Sequence, residues 1–252
     1  MAVNIILDES GSMSSVRDKT VEGLNEYLGG LRGDAKADYL VTLTKFDAHP
    51  GSPTCRVIYK LKPLAELQPM GLNDYEPRGS TPLLDAVGET VRTIGQEVGE
   101  RAVLTVIVSD GFENASREFT NEQVKKLIAE KEATGKWTFV YLGADQNAWE
   151  QASAMGLKQG NTMSYASAAT PQMYQNLANA TMMRSANASI GIGATCCMFA
   201  DANQTAADYA APVLSPVTQA AQRAGRARAD SQTAEERRKL AQLAATARWA
   251  KR

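Results

Sequence analysis

Three short, predominantly apolar runs, each followed by a segment with helical spacing, constrain this chain more than any other feature. Ala2–Leu7 precedes Val16–Leu31, in which Val21, Leu24, Tyr27, Leu28 and Leu31 recur on one face. Ala102–Val108 (AVLTVIV) ends at Ser109-Asp110-Gly111 and leads to Asn121–Thr134, with Val124, Leu127 and Ile128 on one side. Trp137–Leu142 (WTFVYL) ends at Gly143-Ala144-Asp145 before Ala148–Gly156. A strand that is apolar at successive positions, not only at alternate ones, is buried on both faces. Alternation of such strands with amphipathic helices makes the sheet mostly parallel.

The remaining body fits the same pattern. Leu83–Val98 reads as a helix with Leu84, Val87, Val91 and Ile94 inward, and Thr162–Tyr165 as a last strand before a helix from Pro171. Asp38–Phe46 and Cys55–Tyr59 flank the Pro- and Gly-containing Asp47–Thr54, a hairpin connection, and are expected to add an antiparallel element at one edge. The fold class is therefore α/β: a doubly wound, Rossmann-like, mostly parallel sheet with one antiparallel edge strand and helices on both faces. A helical C-terminal extension follows. The composition changes near Ala200, which divides the chain into 1–199 and an Ala/Arg-rich tail, 200–252. Thr233-Ala-Glu-Glu236 is a capping box that starts a helix reaching about Ala250.

Composition excludes several chemistries. The single histidine, His49, rules out His-rich zinc sites. Cys55 and the adjacent Cys196 and Cys197 lack C-x-x-C spacing, which argues against a zinc ribbon or a disulfide framework and for a reducing compartment. Ala2–Leu7 does not read as a targeting segment, and no apolar stretch approaches the ~18 residues of a membrane span. No G-x-G-x-x-G follows a strand, and neither a Walker A sequence nor G-x-S-x-G is present.

Ligands of an open parallel sheet bind beyond the carboxyl ends of its strands. There the first strand gives Asp8-Glu9-Ser10-Gly11-Ser12, and AVLTVIV gives Asp110. Between them Arg78-Gly79-Ser80-Thr81-Pro82 opens a helix. Two carboxylates and three hydroxyls are an all-oxygen donor set suited to a hard divalent cation, Mg²⁺ first, with Mn²⁺ or Ca²⁺ as alternatives. The bland reading is that Asp8, Ser10 and Ser12 cap the first helix while Asp110 makes a turn.

Asp8-x-Ser10-x-Ser12, Thr81 in Gly-Ser-Thr-Pro-Leu, and Asp110 in Ser-Asp-Gly resemble the metal-ion-dependent adhesion site of von Willebrand factor A domains, over roughly residues 1–165. The resemblance implies direct metal binding by Ser10, Ser12 and Thr81. It has Asp8 and Asp110 acting largely through waters, and an acidic side chain of a partner protein completing the coordination. It implies a non-enzymatic protein-binding module, an adaptor or part of a larger assembly such as one built with an AAA+ ATPase. A cytoplasmic, prokaryotic or phage setting, or association with a virion, goes with it. Glu113 and Asn114 are further candidates for partner contact, and Asp47 and His49 lie in a loop that flanks the metal face. Arg32-Gly33-Asp34 reads as a helix-ending turn, and Asp145 as a helix cap.

The net charge of −1 is an average of two opposite parts. Residues 213–252 carry nine basic and three acidic side chains, a net of +6, against −7 for residues 1–212. A tail of this kind attracts nucleic-acid phosphates. Its Arg237 and Arg238, with the Leu240–Leu243 stripe and Trp249, equally suit a protein surface. Nucleic-acid binding through the tail is one alternative function. The other is a Mg²⁺-dependent phosphatase of the haloacid-dehalogenase kind, disfavoured because Ser10 stands where that chemistry needs a second aspartate.

Overall fold

Strand β1 (Ala2–Asp8) is buried at all its positions because it lies at the middle of a six-stranded sheet. The structure is a computed structural model and describes residues 1–199, apart from 36, 145–147, 166–169, 192 and 194–197. The expectations for Asp145, Cys196, Cys197, the division at residue 200 and the whole basic tail lie outside the described residues.

The other elements are α1 (Arg17–Arg32), β2 (Leu40–Phe46), β3 (Cys55–Pro63), α2 (Leu83–Glu97), β4 (Val103–Val108), α3 (Asn121–Ala133), β5 (Trp137–Ala144), α4 (Ala148–Ala154), β6 (Thr162–Tyr165) and α5 (Thr170–Ser189). Sheet order is β3-β2-β1-β4-β5-β6, and every pairing is parallel except β2 with β3. The expected antiparallel element is thus β3 alone. Strand β2 runs parallel to β1, with Ala2 opposite Leu40, because α1 carries the chain back to the sheet's starting edge before β2 begins.

Residue parity sets the two layers. Val3, Ile5 and Leu7 of β1 face a core shared with Val21, Leu24, Tyr27 and Leu28 of α1 and with Met173, Tyr174 and Leu177 of α5. Ala2 and Ile6 face the opposite core, with Val87, Val91 and Ile94 of α2 and Val124 and Ile128 of α3. The helical stripes expected on α1 and α2 are all buried, and on α3 Leu127 is only partly so. Among the described residues, no helix is long and apolar enough to cross a membrane.

Candidate metal centre

The order 3-2-1-4-5-6 reverses direction between β1 and β4, so the loops leaving those two strands diverge and leave a crevice at their carboxyl ends. Leu7 pairs with Val108 in the last register step, which sets Asp8 beside Ser109 and Asp110 just beyond. The two aspartates that stand about a hundred positions apart in the chain meet here for this topological reason.

Asp8 is fully buried. Its Oδ1 accepts the Ser10 N–H at 2.7 Å and its Oδ2 accepts the Ser109 hydroxyl at 2.5 Å. Burial pushes the carboxyl up to about 6; the bonds from Ser109 and Ser10 pull it back, and the neighbouring Asp110 charge pushes it up again. That last influence places Asp110 within electrostatic range. The Ser10 and Ser12 hydroxyls lie 3.1 Å apart. Ser10 makes no side-chain cap on the 3₁₀ turn Gly11–Val16, nor does any cap bond start α1, so the capping reading of these residues is not what the structure shows.

Thr81 arrives from the loop before α2. Gly79 sits at φ +67°, and a Cβ there would come within 2.5 Å of the Ala48 carbonyl oxygen, so only glycine fits the turn. Its carbonyl accepts the Gly11 N–H at 3.1 Å, which ties the Thr81 loop to the Ser10–Ser12 loop. Gly111 closes the set: a Cβ on it would stand 2.6 Å from Thr81 Oγ1 and 3.1 Å from Ser12 Oγ. These two hydroxyls therefore face the same small space beside the residue that follows Asp110. Ser10 and Thr81 are buried while Ser12 is exposed, so the space opens to solvent on the Ser12 side.

Glu9 and Tyr75 had no evident role in the sequence. Glu9 is buried between Lys45 Nζ at 2.8 Å and Arg56 Nη2 at 2.5 Å. Burial would raise its carboxyl, but Lys45, the Glu76 N–H and Arg56 together hold it below the ordinary carboxylate value. Asp47, also buried, pairs with Arg56 and Arg78, while His49 is exposed. Tyr75 donates its hydroxyl to the Asp8 carbonyl oxygen. In the Arg-Gly-Asp tripeptide, α1 ends at Arg32 and the Gly33 N–H caps it on the Gly30 carbonyl, the expected helix-ending turn; Asp34 accepts the Tyr39 hydroxyl at 2.8 Å and Arg32 donates to the Leu67 carbonyl at 2.7 Å.

Glu113 and Asn114 are engaged with the site's own framework. Glu113 Oε2 accepts the Leu84 N–H at 3.0 Å, and its Oε1 accepts the Ala115 and Ser116 N–H groups. Asn114 Oδ1 accepts the Thr81 N–H at 2.9 Å while its own N–H donates to the Thr81 carbonyl. Phe112, beside them, is an exposed aromatic at 52%.

Among the described residues no three His, Cys, Asp or Glu side chains cluster. A cation held here would depend on hydroxyl and water oxygens, with two carboxylates for charge. The donor set is that of a hard divalent ion, and the space that a Gly111 Cβ would fill is lined by two of the donors. The residues fit such an ion.

No family model and no curated protein matches the sequence. Solved structures do. Proximal thread matrix protein 1 from the mussel byssus is 10% identical, with a TM-score of 0.52 over 72% of this chain and 46% of that one. A von Willebrand factor type A protein from Catenulispora acidiphila is 15% identical, also at 0.52, over 72% and 42%. The von Willebrand factor domain of a type V pili tip protein from Porphyromonas gingivalis is 10% identical, at 0.56, over 77% and 96%. This chain spans less than half the length of the first two. At these identities the likeness is one of architecture: the chain has the von Willebrand factor A fold.

Proposed function

We propose that this von Willebrand factor A fold serves as a non-enzymatic, metal-dependent protein-binding module. Ser10, Ser12 and Thr81 would hold a divalent cation, Mg²⁺ first and Mn²⁺ or Ca²⁺ as alternatives, and Asp8 and Asp110 would supply the balancing charge. The carrying observation is the convergence of these side chains at the β1/β4 switch point, with the Thr81 and Ser12 hydroxyls on the Gly111 side. When bound, the ion offers an electrophilic position to a carboxylate of a partner.

The chain's own residues prepare that position. Asp8 is fixed through both oxygens, by Ser10 and Ser109, so its charge is held in place beside the Ser10 loop. With few carboxylates bonded directly, an external Asp or Glu gains more by completing the site. The exposed Ser12 side is where it would enter. Glu113, Asn114 and exposed Phe112, in the loop that follows Asp110, would be the candidates for further partner contact. The neighbours in fold include a domain of a pili tip protein and a thread matrix protein. The setting remains cytoplasmic, prokaryotic or phage-encoded, with an AAA+ ATPase or other assembly subunit as the acidic partner.

The test is capture of partners with and without Mg²⁺. The full chain should retain partners in Mg²⁺ and release them in EDTA, and Asp8→Ala combined with Ser10→Ala should not retain them. Unchanged capture in both controls would contradict the reading. The tail's net charge of +6 supports a second function, nucleic-acid binding through Arg237, Arg238 and their neighbours. Salt-sensitive DNA or RNA binding that disappears on deleting 213–252 would establish it.

A further inference from the structure

The two loops that bring Thr81 and Asp110 to the candidate metal centre are fastened by a reciprocal pair of carboxylates. Glu113, three residues after Asp110, accepts the Leu84 N–H at the start of α2. Asp85, one residue further along α2, accepts in return from the loop after β4. Its Oδ2 takes the Arg117 N–H at 2.8 Å, and its Oδ1 takes the Glu118 and Phe119 N–H groups at 2.9 and 2.8 Å. The Asp85 N–H donates to Ser116 Oγ at 3.1 Å. Asn114 and Thr81 exchange backbone and amide bonds within the same seam.

Asp85 is only 8% exposed, and backbone N–H groups satisfy its carboxylate. A carboxylate that accepts three N–H bonds is a strong, charge-assisted anchor, and its geometry is fixed by the helix that carries it. Its side chain makes none of the contacts that line the space beside Gly111, so a role there must act through the loops it joins.

We propose that Asp85 is a positioning residue for the metal centre: with Glu113 it clasps the loop after β4 to the start of α2, and so sets the separation of Asp110 from Thr81. The inference rests on the metal-binding reading above. Loss of the clasp frees the loop carrying Asp110 from the helix start carrying Thr81, and the ion must then reassemble its own site. Partners of this supporting kind typically cost 10–100-fold in metal affinity when removed. Asp85→Asn keeps the oxygen that takes two of the three N–H bonds and should retain an intermediate affinity.

The experiment is Mn²⁺ titration of the full chain by electron paramagnetic resonance, with thermal unfolding in EDTA recorded in parallel. Wild type, Asp85→Asn and Asp85→Ala are compared with Leu177→Ala, a core substitution on α5 far from the seam. The inference expects Mn²⁺ affinity to fall in the order wild type, Asp85→Asn, Asp85→Ala, by at least ~10-fold at the last step. Leu177→Ala should lower the melting temperature and leave the affinity unchanged. If both Asp85 variants melt earlier but bind Mn²⁺ as wild type does, Asp85 is a stability residue only and the inference falls while the metal site stands. If wild type itself binds no Mn²⁺, both fall. Should Asp85→Ala not fold, Asp85→Asn alone decides between the first two results.

Discussion

Ser109 donates its hydroxyl to Asp8 Oδ2 at 2.5 Å, across the junction of β1 and β4 where the sheet changes direction. This bond joins the strand that begins the candidate metal centre to the strand that completes it. It also offsets part of the cost of burying Asp8, whose carboxyl is pushed up to about 6.

Ser109→Ala removes that donor from a buried carboxylate. The metal-free protein is expected to lose about 1–3 kcal/mol, the usual cost of leaving a buried polar group unsatisfied. Urea unfolding in EDTA at neutral pH measures it. An unchanged midpoint would mean that another group takes over the bond.

Gly111→Ala places a Cβ 2.6 Å from Thr81 Oγ1 and 3.1 Å from Ser12 Oγ, in the space assigned to the ion. Divalent binding should fall by at least ~10-fold, the scale seen when a metal site's supporting geometry is lost. Calorimetric titration with Mg²⁺ checks this. Wild-type affinity would place the ion elsewhere.

The Glu9 carboxyl is held below its ordinary value of 4.5 by Lys45, the Glu76 N–H and Arg56, against the opposing effect of burial. Its folded pKa is depressed, so its contribution to stability is present above about pH 4.5 and is lost as the pH falls through the folded value. Glu9→Gln should destabilise the chain by ~3 kcal/mol at pH 7, since Lys45 loses its buried counter-charge and Arg56 keeps only Asp47. It should also flatten the acid limb of a stability–pH curve recorded in EDTA. An acid limb as steep as that of wild type would assign the loss to other carboxylates.

What the sequence made legible follows from distance along the chain. Predominantly apolar runs are a local signal, and β1, β4 and β5 stand where those runs predict them. Asp8-x-Ser10-x-Ser12 is equally local. Strand β2 was harder: nothing in Asp38–Phe46 states which neighbour it joins, and the crossover through α1 decides that it lies parallel to β1. Glu9 stood unread between two residues of the motif because its partners, Lys45 and Arg56, are 36 and 47 positions away. Asp85 is an acid in a helix's first turn, where the helix dipole alone favours one, so its sequence position does not disclose the loop it binds. The ties of Glu113 to Leu84 and of Asn114 to Thr81 were not legible because those N–H groups stand 29 and 33 positions away. An acid in the first turn after Thr81, matched by an acid three residues after Asp110, was the available signal.

Asp8, Ser10, Ser12, Thr81 and Asp110 are proposed to form one divalent-cation site. Titration of the metal-free full chain with Mn²⁺, repeated with Ser10→Ala and Ser12→Ala combined, decides it. Saturation near one ion per chain is expected in wild type, and an affinity at least ~10-fold weaker in the double variant, which keeps its fold. No saturable binding in wild type, or equal binding in the two proteins, would contradict it.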